Sequence, residues 1–139
     1  MTSFTFNASS GTVLTQTDVT NTLNGHTGNF SATIANTVTE IAVTAFYNRT
    51  DLLSVVISES VNVIGSSAFR GTSSMTSCTL PMNNTNFEII PYFCFFNSGL
   101  TSITIPDSVT EIGVQAFDGT NNMTSCIFTA NSSLETISN

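Results

Sequence analysis

The dipeptide Ala-Phe recurs at Ala45-Phe46, Ala68-Phe69 and Ala116-Phe117, with Cys94-Phe95 in the matching place, and the four anchor Phe residues are spaced by 23, 26 and 22 residues. A unit of that length cannot bury an apolar face alone, so such a chain is restricted to a stack of similar units. Five residues before each anchor stands Ile41, Ile64, Ile90 or Ile112, and three before that Val38, Val61, Phe87 or Val109; the pair recurs as Leu134 and Ile137. Downstream, LLSVVI, MTSCTL, LTSITI and MTSCIF superpose, and upstream NFSATI fits the same frame. The pattern predicts five strand positions and four Ala-Phe turns.

The end of each segment alternates apolar and small or β-branched residues, the period of a strand with one buried face. Stacking such units gives a leucine-rich-repeat type of solenoid, with a parallel sheet on one face and short helical or irregular turns on the other. The anchor Phe side chains are expected to form an internal ladder. Two residues after each anchor stand Asn48, Gly71, Asn97 and Gly119, the residue types that best tolerate the left-handed conformation closing a turn. The stretch LTSITIPDSVTEIGVQAF resembles the units of the BspA-like, or treponemal-type, leucine-rich repeat family. The resemblance covers residues 29–139, in units of about 35–58, 59–82, 83–107, 108–130 and a truncated 131–139. It implies a right-handed solenoid for surface attachment and protein interaction, with no catalytic residues to carry over. Cys94 in place of Ala and the aromatic-rich IIPYFCFF depart from the pattern.

Residues 1–28 differ in kind. SFTF and TVLT read as strands, SSG as a turn, and DVTNTL as a short helical turn before the Gly-rich NGHTG. They are expected to form a β/helical N-terminal cap or an assembly segment. In the second case Phe4 and Phe6 would cover an open last layer of Phe128, Leu134 and Ile137 on a neighbouring copy, giving a head-to-tail homo-oligomer.

Composition removes several classes of function. Nine Asp and Glu stand against two Arg, for a net charge of −7. Such a chain cannot neutralise a row of phosphates, so neither nucleic acid nor an anionic membrane surface is an expected partner. The most apolar stretch, Phe87 to Phe96, contains Glu88 and Pro91 and is far below the ~20 residues of a membrane span, so no membrane insertion is expected. The start MTSFTFNASS has no signal-peptide pattern, so any secretory signal is expected to have been removed or never present. Eleven Phe suffice for a core, while Ser, Thr and Asn make up 58 of the 139 residues.

No constellation for chemistry emerges. Cys78 and Cys126 share a strand column two units apart, about 9.6 Å at ~4.8 Å per strand, beyond the ~7 Å a disulfide spans. With Cys94 they read as free, buried small hydrophobes. The acids are scattered, and the one histidine, His26, reads as a solvated loop imidazole. No enzyme activity, metal or cofactor is expected. Ser31, Ser54, Ser77, Ser102 and Ser125 form one column, and Thr33, Val56, Thr79, Thr104 and Ile127 another. These ladders offer a surface to a glycan, ordered water or a second sheet, or simply keep the sheet solvated. N-x-S/T sequons occur at Asn7, Asn29, Asn48, Asn83, Asn122 and Asn131, and Asn7, Asn83 and Asn131 are expected in equivalent widened loops on one flank. The chain therefore reads as a non-enzymatic structural or interaction protein at an extracellular, cell or particle surface. It is either a self-associating fibre subunit or an adhesin-like module for a host protein or glycan.

Overall fold

The computed structural model describes residues 1–139. The chain runs β1 (Thr2–Phe6), β2 (Val13–Leu14), α1 (Gln16–Leu23), β3 (Phe30–Ile34), β4 (Glu40–Ile41), β5 (Leu52–Val56), β6 (Val63–Ile64), β7 (Ser77–Thr79), β8 (Ile89–Ile90), β9 (Ser102–Ile105), β10 (Glu111–Ile112), β11 (Ser125–Phe128) and β12 (Thr136–Ile137). Odd-numbered strands stack on one face and even-numbered strands on a second, and all pairs are parallel. Each coil contributes one strand to each face, so the stack has six coils.

The sixth position is β1, which the repeat pattern had not included. Residues 1–28 join the stack as its first coil, with β1 paired to β3 and β2 to β4. The pairing sets Phe6 against Ile34 and Phe4 against Ala32. The strand-end position is thus Phe6, one residue before Asn7, whereas Asn83 and Asn131 follow the strand-end Leu80 and Phe128 by three, so Asn7 is not their equivalent as expected. Alternation has a period of two, so a shift of two residues keeps both Phe side chains inward and escapes detection in the sequence.

In the first coil α1 replaces the Ala-Phe turn. Thr15 caps it: the Thr15 hydroxyl accepts from the Asp18 amide, and Asp18 Oδ2 accepts from the Thr15 amide at 2.8 Å and hydroxyl at 2.7 Å. Hydrogen bonding from Ser9, opposed by burial and reinforced by Thr15, lowers the Asp18 carboxyl from its ordinary 3.8 to about 2. A depressed carboxylate pKa stabilises the fold above the unfolded value and ceases to do so as pH falls through the folded one. Asp18→Asn should therefore cost about 1–2 kcal/mol at neutral pH. In denaturant titrations the gap from wild type should close as pH drops from about 4 to about 2.

The other turns contain no helix. They form a third inter-coil ladder in which alternate amides point up the stack. Thr44, Phe46 and Asn48 donate to Ser66, Ala68 and Arg70, and Phe93, Phe95 and Asn97 donate to Val114, Ala116 and Asp118. The intervening amides bond within the coil, as Ala45 to Ala42 and Tyr47 to Thr44. This alternation needs left-handed residues at both ends of the turn. Asn48, Gly71, Asn97 and Gly119 adopt it as their residue types predict, and Thr44, Ser67, Phe93 and Gln115 adopt it against theirs. Gly71 has a second constraint, since Asn48 Oδ1 from the preceding coil occupies the place a Cβ would take, as Asn97 Oδ1 does at Gly119.

Inside, Phe46, Phe69, Phe95 and Phe117 stack nearly face to face, with centroids 5.2, 5.5 and 5.4 Å apart and interplanar angles of 12°, 8° and 9°. Phe6 meets Phe46 edge-on at 5.2 Å. The aliphatic columns complete one continuous core from Phe6 to Ala116.

Coil 4 interrupts both sheets. Its β7 pairs with β5 below but not with β9 above, whereas its β8 pairs with β10 above but not with β6 below. Proline accounts for one of the bonds lost at the second break. In the other coils Ala42, Gly65, Gly113 and Ser138 donate an amide to Leu14, Ile41, Ile90 and Ile112, whereas Pro91, in the same position, has no N–H for Ile64. A cleft of about 360 Å³ opens there, and one of about 330 Å³ between β7 and β9. The widened loop between β7 and β8 lets the coil change allegiance partway round.

Candidate interaction surfaces

The Ser column is solvent-facing and longer than expected, since Ser3 aligns with Ser31, Ser31 with Ser54, Ser54 with Ser77, and Ser102 with Ser125. Ser54 donates to Ser31 at 2.9 Å. Thr5, Thr33, Val56 and Thr79 form the neighbouring column, continued beyond the break by Thr104 and Ile127. These columns are small and flat, and the β7/β9 cleft divides them.

The widened loops are held by acids of the preceding coil. Glu59 accepts from the amides of Met82 at 3.2 Å and Asn83 at 2.9 Å; Asp107, its repeat equivalent, accepts from the Asn131 amide at 3.2 Å and the Thr129 hydroxyl. Asn7, Asn29, Asn48, Asn83, Asn122 and Asn131 are all exposed. Asn48 has its Oδ1 against Gly71, Asn7 accepts from the Thr37 hydroxyl at 3.3 Å, and the Asn83 amide group donates to Glu59 at 3.4 Å.

Of the residues expected to mediate assembly, Phe6 is fully enclosed in its own core and Phe4 packs on that core, so the first coil uses them itself. His26 is not a free loop imidazole. Its ring meets Phe4 edge-on at 5.0 Å, and its Nε2 is buried without a partner. On the sixth coil, Phe128 is 42% and Ile137 59% exposed, while Leu134 is half-buried. Cys126 is exposed there as well, a correction to its expected burial, because no coil in this chain covers its column. Cys78 and Cys94 are buried, and burial pushes both thiols up, keeping them protonated and unreactive at neutral pH.

A further feature lies on the turn face. The residues following the anchor Phe are Tyr47, Arg70, Phe96 and Asp118, one per coil and pointing away from the core. The Arg70 guanidinium lies 5.9 Å from the Tyr47 ring centroid, 4.9 Å from Phe96 and 5.2 Å from Phe93. Phe93 is edge-on to Tyr92 at 5.7 Å and to Phe96 at 5.4 Å, and Tyr92 is 53% exposed. The IIPYFCFF stretch therefore supplies one buried ring to the ladder, Phe95, and an outer aromatic cluster from Tyr92, Phe93 and Phe96. Arg49, the other arginine, is paired with Asp51, but Arg70 has no carboxylate within 4.0 Å and makes no side-chain hydrogen bond. The signal was present in the sequence as large side chains directly beside the buried Phe.

Parallel strands stacked coil on coil, with interior Phe and aliphatic columns, define a leucine-rich-repeat solenoid. The sequence profile of the BspA type leucine rich repeat region matches residues 25–139 in six copies, and the chain belongs to that family. A leucine rich repeat protein of T. pallidum superposes with a TM-score of 0.53 at 20% identity, over 71% of this chain and 69% of that one. A leucine rich cell surface protein of Faecalibacterium prausnitzii A2-165 aligns with a TM-score of 0.41 at 23% identity. That alignment covers 80% of this chain but 41% of the other. No curated protein matches the sequence. No helix is long and apolar enough to cross a membrane.

Proposed function

We propose that the chain is a non-enzymatic interaction module displayed at an extracellular or cell surface, and that its partner docks on the aromatic and arginine patch of the turn face. The observation carrying this reading is Arg70, left without an anionic partner among Tyr47, Phe93 and Phe96. Tyr and Arg are the residue types that dominate interface energetics, and here the third ladder holds them on a rigid backbone. Family membership supports an interaction role. The exposed sequons other than Asn48, whose side chain packs over Gly71 beside the patch, are proposed as points of glycan attachment.

A second reading is head-to-tail self-association into a fibre. It is favoured by exposed Phe128 and Ile137 on the sixth coil, and by the free outer edges of β1 and β11, which run in the same direction. One preparation separates the two. Labelled chain titrated onto cultured epithelial cells should bind saturably, and Tyr47→Ser/Tyr92→Ser should reduce that binding about tenfold or more. Sedimentation velocity on the same sample should show dispersed molecules. Equal binding by the double variant would overturn the docking reading, and long assemblies would favour the fibre.

A further inference from the structure

We propose that the turn-face patch takes a carboxylate-bearing sugar ring of a glycan, an inference that rests on the docking role proposed above. The charge pattern comes first. The chain has nine acidic residues and a net charge of −7, yet Arg70 pairs with none of the nine. Instead three rings surround its guanidinium, with centroids at 4.9, 5.2 and 5.9 Å. Aromatic neighbours strip water from a guanidinium without neutralising it, which strengthens its attraction for an incoming carboxylate.

The number of charges then limits the partner. One unpaired fixed cation matches one anion, and a segment carrying several acids would be repelled by the rest of a chain at −7. A single uronic or similar acidic ring brings one carboxylate. The shape of the surface agrees. The three clefts of the molecule lie at β6/β8, at β7/β9 and beside the loop of Asn83, and none is lined by Tyr47, Arg70, Phe93 or Phe96. A ligand must therefore lie flat. Tyr47, 36% exposed and 5.9 Å from the Arg70 guanidinium, offers ring surface to the C–H face of a pyranose. Exposed Asn48 and Asn97, next in sequence to Tyr47 and Phe96, set amide groups at the margin for its hydroxyls.

The chain contains two Tyr and no Trp, and both tyrosines are in or beside the patch, so tyrosine fluorescence reports on this site. Methyl β-D-glucuronide should change it saturably, with millimolar affinity. Methyl β-D-glucoside and acetate should each bind about tenfold more weakly or not at all, since each lacks one half of the recognised group. Arg70→Gln should weaken the glucuronide about tenfold, and Arg70→Lys, which keeps the charge but not the planar fork, should fall between. Equal responses to glucuronide and glucoside, equal responses to glucuronide and acetate, or no response to glucuronide would each overturn the inference. Cell binding that is lost in Tyr47→Ser/Tyr92→Ser, but indifferent to glucuronide and to Arg70→Gln, would sink the acidic sugar and leave the docking role standing.

Discussion

Phe69→Ala should cost about 3–5 kcal/mol of unfolding free energy, the range for removing a buried phenyl ring from a close-packed core. Phe69 is fully buried and has stacked neighbours on both sides, Phe46 at 5.2 Å and Phe95 at 5.5 Å. Neither can collapse into the vacancy, because the inter-coil bonds of the turns hold them, Phe46 to Ala68 at 2.8 Å and Phe95 to Ala116 at 2.8 Å. Phe117→Ala is the informative contrast. Phe117 ends the stack, partly exposed, with one ring neighbour at 5.4 Å, so its loss should cost distinctly less. Guanidinium unfolding of the two variants beside wild type measures both. Equal, small losses would mean that the ladder is not a principal source of cohesion.

The same ladder shows why so much of this fold is legible in one sequence. Coils 2 to 5 repeat the same demand, an inward Ile or Val, an inward Phe and a left-handed closing residue, so errors at one position are outvoted by the others. Three kinds of feature lacked that redundancy. The register of β1 rests on Phe4 and Phe6 alone, and both registers bury the same ring type. The exposure of Cys126 depends on what lies beyond its coil, which its own column cannot state. The left-handed Thr44, Ser67, Phe93 and Gln115 share no residue preference, because their conformation follows from the inter-coil amides rather than from the side chains. The Thr15–Asp18 capping box is legible as a Thr followed three residues later by an acid at a helix start, but it has no counterpart in the other coils to reinforce it.

The candidate site was hidden for a related reason. Repetition makes legible the positions that stay alike, and the aromatic and arginine patch arises from a column that does not: Tyr47, Arg70, Phe96, Asp118. Conserved columns carry the packing and variable outward columns are free to carry recognition. Coil 4 concentrates this freedom. It holds Tyr92, Phe93 and Phe96 on the turn face, the Pro91 break beneath them, and the widened loop that lets β7 and β8 pair with different neighbours.

The second large effect should come from a single methyl group. Gly65→Ala should destabilise the fold by about 2–3 kcal/mol, through overpacking rather than through conformational strain. An added Cβ would stand 2.6 Å from the Ala42 carbonyl carbon and 2.7 Å from the Val43 Cα, backbone atoms of the coil below that cannot swing aside as a side chain would. Moving them would break the 2.7 Å bond from the Gly65 amide to Ile41 and part β4 from β6. Repeat-equivalent positions hold Ala42, Pro91, Gly113 and Ser138, which read from sequence alone would suggest tolerance; Ser138 stands in the sixth coil, which has no Ala-Phe turn of its own to hold against the coil below. The coils explain the difference. Ala42 faces the first coil, where α1 replaces the turn, and Pro91 sits at the break where β6 and β8 are already apart. Gly113, like Gly65, lies over a paired coil, and its Cβ would fall 2.6 Å from the Tyr92 nitrogen. Gly113→Ala should therefore resemble Gly65→Ala, while Pro91→Ala, at the open seam, should cost less than either. Thermal melts of the three variants decide it: if Gly65→Ala and Pro91→Ala shift the midpoint alike, close backbone approach is not what selects glycine here.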